Sequence, residues 1–103
     1  MSWFPGGTKL LVNGPAGNGV WGIWTLAPVG GELRKLQDTI GDAALSPDGS
    51  RIAFVSEQGV WQMGPNGEQP APLFAIAARE QVRNLVWSPD GRWLTYLRRV
   101  GQT

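Results

Sequence analysis

Leu45-Ser46-Pro47-Asp48-Gly49-Ser50-Arg51-Ile52-Ala53-Phe54 has two partners elsewhere in the chain. They are Trp3-Phe4-Pro5-Gly6-Gly7-Thr8-Lys9-Leu10-Leu11-Val12 and Trp87-Ser88-Pro89-Asp90-Gly91-Arg92-Trp93-Leu94-Thr95-Tyr96. The prolines stand at 5, 47 and 89, so both intervals are 42 residues. Downstream, Ile23-Trp24-Thr25-Leu26 matches Val60-Trp61-Gln62-Met63. Each is followed by a turn-forming segment, Ala27-Pro28-Val29-Gly30-Gly31 or Gly64-Pro65-Asn66-Gly67. Agreement at several offsets marks an internal repeat.

The unit has a mechanical reading. In Pro-Asp-Gly the proline presets φ, the aspartate bonds nearby backbone and the glycine accepts positive φ, which together make a tight turn. Short β-branched and aromatic runs follow at Leu10 to Asn13, Ile52 to Ser56 and Leu94 to Arg98. Leu10/Val12, Ile52/Phe54 and Leu94/Tyr96 alternate onto one face, with Ala53/Val55 and Thr95/Leu97 on the other. Both faces are apolar in the second and third copies, which predicts strands covered on both sides. Further strands are predicted at Gly22–Leu26 or Val60–Met63, at Leu33–Leu36 or Ala71–Phe74, and at Ala43–Leu45 or Arg83–Trp87. The last of these leads back into the turn. Four short antiparallel strands in about 42 residues match a β-propeller blade. The predicted fold is therefore all-β, about two and a half blades of a partial propeller. The repeat units run approximately 3–44, 45–86 and 87–103. Residues 75–81 carry helical propensity and read either as a short helix or as an irregular connection.

Composition narrows the function classes. Nine Lys/Arg against eight Asp/Glu give a net charge of +1 and no electrostatic footprint for nucleic acid or an anionic membrane. Cysteine and histidine are both absent. That removes disulfides, thiolate metal sites, the commonest zinc ligand and every Ser/His/Asp or Cys/His arrangement. No apolar stretch approaches a membrane span, and residues 1–7 do not read as a signal peptide, so the chain is expected to be soluble. The expectation is a non-enzymatic segment without catalytic residues, cofactor or metal.

The segments Leu45-Ser46-Pro47-Asp48-Gly49-Ser50-Arg51-Ile52-Ala53-Phe54 and Trp87-Ser88-Pro89-Asp90-Gly91-Arg92 resemble the repeat of the TolB-like bacterial β-propellers. Ile23-Trp24 through Gly30-Gly31 to Arg34-Lys35-Leu36 fits the rest of that blade. The first copy departs from the pattern: Phe4 and Gly6 replace the serine and aspartate, which predicts a looser turn. The resemblance implies a non-catalytic role. Such blades occur in a partner-binding periplasmic protein, in sensor arrays attached to bacterial Ser/Thr kinases or winged-helix regulators, and in the gating domain of serine oligopeptidases. The wording of residues 2–11 looks most like the sensor arrays. The implied role is a scaffold for protein–protein interaction or ligand sensing, binding a protein, peptide or small ligand, in a periplasmic or extracytoplasmic setting. A gating fragment and a ring formed by several copies are the alternatives. A closed ring takes about four to eight blades, so the chain is expected to be an excised segment of a larger bacterial propeller, with self-association of its bare blade faces.

Among candidate sites, Gly17-Asn18-Gly19-Val20-Trp21-Gly22 matches Gly-x-Gly-x-x-Gly, and Asp42 follows Gly22 by 20 residues. A dinucleotide site needs that loop to open a helix. Here a strand follows, so the segment reads as a hairpin loop. Pro47, Asp48 and Gly49, with Pro89, Asp90 and Gly91, read as structural turns rather than calcium ligands, because no Asp-rich loop accompanies them. Asn-Gly at 13–14, 18–19 and 66–67 predicts hairpin turns. Of the six tryptophans, Trp24 and Trp61 are repeat-equivalent, as are Trp3 and Trp87, and blade packing accounts for all four. Trp21 and Trp93 lack aromatic counterparts. Trp21, beside the Gly-rich loop, is the candidate partner-binding anchor.

Overall fold

A computed structural model describes residues 2–7, 9–17, 20–27, 31–56, 59–76 and 80–100. The Pro-Asp-Gly turn closes on itself. Ser46 N donates to Arg51 O and Gly49 N to Ser46 O, both at 2.9 Å. Ser88 and Gly91 repeat the pair 42 residues later, Ser88 N to Trp93 O at 2.7 Å and Gly91 N to Ser88 O at 2.9 Å. Gly7, Gly49 and Gly91 all carry positive φ, at 67°, 75° and 73°. The first copy keeps the same two backbone bonds. Phe4 N donates to Lys9 O and Gly7 N to Phe4 O, each at 3.0 Å. The backbone pattern survives because Phe4, in the serine's place, is buried in the core instead of hydrogen-bonding.

The turns join strands into antiparallel sheets. The first sheet holds β1 (Ser2–Trp3), β2 (Leu10–Gly17), β3 (Val20–Leu26) and β4 (Leu33–Thr39), in that order. The second repeats it with β5 (Ala43–Leu45), β6 (Ile52–Ser56), β7 (Gly59–Met63) and β8 (Ala71–Ala75). The third pairs β9 (Glu80–Trp87) with β10 (Leu94–Val100). Each sheet begins with the strand ahead of the turn. Ala43–Leu45 pairs with β6 and so opens the second sheet, where the sequence units place it at the end of the first. The hairpin turn joins its two flanking strands, and the sheet boundary falls in the link at residues 40–42. Residues 77–79, within the segment read as helix or connection, lie outside the described residues.

Period-two alternation splits β6 between two cores. Ile52 and Phe54 face the first sheet and pack with Phe4, Leu11, Ile23 and Met63. Ala53 and Val55 face the third and pack with Val60, Val82 and Leu85. The second sheet is thus sandwiched, and four consecutive β6 residues are buried. The third copy differs from its predicted double coverage. Leu94 and Tyr96 face the second sheet, Tyr96 stacking on Phe74 with ring centroids 5.0 Å apart. Leu97, on the outward face, is 62% exposed because no described sheet covers it.

Two further expectations change. Asn13-Gly14 is no turn: the pair lies within β2, opposite Ile23 and Gly22. The Asn13 side chain donates instead to Gly22 O and Gly41 O, both at 3.2 Å. Trp24, Trp61 and Trp87 are half-buried, but Trp3 is exposed, since no described sheet lies against its face. Asn66-Gly67 does turn, with Gly67 N bonding Gly64 O at 3.0 Å. The Asn18-Gly19 pair lies outside the described residues, although Gly17 and Val20 on either side pair with each other.

Candidate ligand-binding groove

At the sheet ends remote from the Pro-Asp-Gly turns lies a groove of about 530 Å³, lined by elements of all three sheets. Trp21 supplies one wall. It sits in β3 between Pro15 of β2 and Thr39 of β4, with its indole 41% exposed. Gly17 ends β2 and Val20 opens β3, so the glycine motif leads into a strand.

The link between the first and second sheets forms the next part of the lining. Ile40 N donates to Val55 O and Val55 N donates to Asp42 O, each at 3.1 Å. The buried Thr39 hydroxyl donates to the same Val55 carbonyl, and Asn13 holds Gly41 O. These bonds stretch residues 40–42 across the end of β6. Ile40 is left 54% exposed at the groove. Asp42 then reaches the third sheet, where its Oδ2 accepts the backbone N–H of Asn84. Asn84 adopts φ 56° at a bulge in the β9–β10 pairing, a conformation that asparagine tolerates better than most residues. Arg83 beside it donates to Gln81 Oε1 at 3.3 Å. Val55 and Val82, both buried, lie at the bottom, and Ile76 contributes a side.

The lining combines two exposed apolar anchors with a carboxylate, a guanidinium and two amides. Its ionisable members are Asp42 and Arg83. Such a surface can hold apolar side chains and direct hydrogen bonds to the backbone or polar groups between them.

The predicted turn residues occupy the opposite end of the strands and take no part in the groove. Asp48 Oδ1 accepts from Ser46 Oγ at 2.8 Å, Ser50 N at 3.0 Å and Ser50 Oγ at 2.7 Å. The Ser50 hydroxyl, with the Ser50 amide and Ser46 behind it, lowers the carboxyl from 3.8 to about 2. Asp90 accepts from Ser88 Oγ at 2.6 Å and Arg92 N at 3.0 Å, and these bonds lower it too. Pro47 and Pro89 are exposed at the turn tips. A second hollow, of about 470 Å³, lies at this end beside Ser50, Arg51 and Gln62.

Of the groove residues, the sequence reading singled out Trp21 as an anchor and met Asp42 only in the dinucleotide test. Ile40, Gln81, Arg83 and Asn84 were missed. One signal was present: Asp42 and Asn84 stand 42 residues apart, at the same phase of the repeat. Compared with known proteins, the chain matches no protein-family model and no curated protein. No helix among the described residues is long and apolar enough to cross a membrane.

Proposed function

We propose that the chain is a non-catalytic segment of a TolB-like β-propeller, a scaffold that binds an extended peptide or loop of a protein partner in the groove beneath Trp21. The repeat period, the four-strand meanders and the Ser-Pro-Asp-Gly turns support the blade assignment. The observation that carries the binding role is the exposure of Trp21 and Ile40 beside Asp42 and Arg83, over a floor of buried valines. An aromatic and an aliphatic anchor next to satisfied polar groups is the composition of a recognition site, with apolar contacts for affinity and polar ones for orientation.

The test is selection from a displayed random-peptide library, followed by amide chemical-shift mapping with the selected peptides. The expected result is perturbation at residues 40–42 and 81–84, and loss of binding in a Trp21→Ala, Ile40→Ser variant that keeps its far-ultraviolet spectrum. Selected peptides that perturb only other surfaces, or that bind the double variant as well as the wild type, overturn the reading.

A further inference from the structure

We propose that Lys9 and Asn66 join in a spontaneous intramolecular isopeptide bond, with Glu68 as the proton shuttle, covalently tying the first sheet to the second. These residues lie away from the groove, at the turn end of the two four-stranded sheets. Lys9 precedes β2, and Asn66 and Glu68 flank Gly67 in the turn between β7 and β8. Lys9 and Asn66 stand 57 residues apart, and only the packing of one sheet on the other brings them together. The Gly64-Pro65-Asn66-Gly67 turn sits so close to β4 that a Cβ on Gly67 would come within 3.2 Å of Leu36. Asn66 Oδ1 accepts from Lys9 Nζ at 3.2 Å, and the ring of the buried Phe4 lies 4.4 Å from the same Nζ. Glu68 folds back over the turn into the space where a side chain on Gly64 would stand, and its Oε1 accepts Asn66 N–H at 3.0 Å. The Asn66 side-chain amide also donates to this carboxylate, and the Lys9 charge acts on it. The Asn66 N–H, with these weaker influences, outweighs desolvation and holds the Glu68 carboxyl below its ordinary value, ionised at neutral pH. A primary amide is thus held between an amine and a carboxylate.

The reaction balances without oxidant or reductant. The Lys9 ammonium loses one proton to water, and the free amine attacks Asn66 Cγ, one C=O bond beyond the oxygen it already touches. As the Nζ–Cγ bond forms, Glu68 takes a second proton from Nζ and delivers it to Nδ2. The Cγ–Nδ2 bond breaks, and the nitrogen leaves as ammonia, which water protonates. Holding amine and amide in contact removes the encounter step that makes such an exchange slow between free molecules. The repeat supplies a contrast at the next junction. Arg51 holds the position of Lys9 there, and its guanidinium donates to Gly91 O at 3.1 Å. A guanidinium keeps its proton and is no nucleophile. In the first copy of the β7–β8 turn, Val29 stands in the place of Asn66 and offers no amide.

The experiment is denaturing intact-mass spectrometry of the 103-residue chain through a timed incubation at neutral and alkaline pH, followed by tryptic mapping. The wild type is expected to lose the mass of one ammonia and to yield a branched peptide joining residues 1–34 to 52–79, because trypsin no longer cuts after Lys9. Lys9→Arg keeps the charge and is expected to give no branched peptide. Glu68→Gln is expected to form the bond at least about a hundredfold more slowly. A wild-type chain that keeps its full mass overturns the proposal. So does loss of ammonia without a branched peptide, which marks a cyclic imide of Asn66 and Gly67 instead. A Glu68→Gln chain that cross-links as fast as the wild type overturns the role of Glu68.

Discussion

Phe54→Ala tests the stacked-sheet core directly, because the repeat supplies its own control. Phe54 is 1% exposed and faces Leu11, Ile23 and Met63 between the first and second sheets. Removing the ring forfeits the transfer of a large apolar side chain, about 1.5–3 kcal/mol, and leaves a cavity that brings the total to about 3–5 kcal/mol. Tyr96 holds the same repeat position but is partly exposed, with its ring on Phe74 as the main contact. Tyr96→Ala should cost roughly 1 kcal/mol. In a chain of this size Phe54→Ala should lower the melting temperature by at least roughly 12 °C, and Tyr96→Ala by a few degrees. Urea and thermal unfolding followed by circular dichroism, at one low protein concentration, measure both. Equal costs for the two variants, or a cost below about 1 kcal/mol for Phe54→Ala, would refute the sheet-on-sheet packing.

Four further outcomes follow from the turns, strands and latches. The Asp48 carboxyl is lowered to about 2 and that of Asp90 is lowered as well. The contribution of Asp48 to stability is therefore complete above the ordinary carboxyl range and fades as pH falls from 3.8 towards 2, and that of Asp90 is likewise lost on acidification below its ordinary value. Acid titration of unfolding in Asp48→Asn, Asp90→Asn should show a shallower loss over that window than the wild type. Gly59→Ala should destabilise by at least about 1–3 kcal/mol, since φ is 149° and a Cβ would come within 2.2 Å of Phe74 O. Gly14→Ala, with open space around it, should stay within roughly 0.5 kcal/mol of the wild type in the same assay. Trp87→Phe keeps an aromatic ring but loses the bond to Ala44 O, a cost of about 0.5–1.5 kcal/mol by urea unfolding.

The parts of this fold that could be read from sequence are those fixed by local chemistry. Ser46, Pro47, Asp48 and Gly49 make their turn from bonds spanning at most five residues, so the turn and its period are visible in the string. The alternation of Ile52, Ala53, Phe54 and Val55 likewise announces a strand buried on both sides. Asn13-Gly14 misled because a local turn signal yielded to a longer ladder, in which β2 continues to Gly17 against β3. The groove was largely illegible for the opposite reason. Ile40, Asp42 and Asn84 meet through bonds to Val55 and across two sheets, at separations no window captures. Trp21 could be singled out because it broke the repeat and stood beside the Gly-rich loop, which Trp93 does not.

The register of one sheet against the next is not set by their apolar area alone. Burial is non-directional, and sliding one sheet along another by a residue pair would preserve much of it. Directional bonds between neighbouring sheets remove that freedom. Trp87 Nε1 donates to Ala44 O and Arg51 donates to Gly91 O near the turn end, while Asp42 accepts Asn84 N–H at the groove end. Contacts at both ends of the strands fix the sliding and the rotation of the third sheet against the second. The groove is built at the same junction, with Asp42 from one side and Asn84 from the other. Its shape is therefore tied to the bond that sets the sheet register, and Asp42→Ala should alter the groove before it unfolds the core.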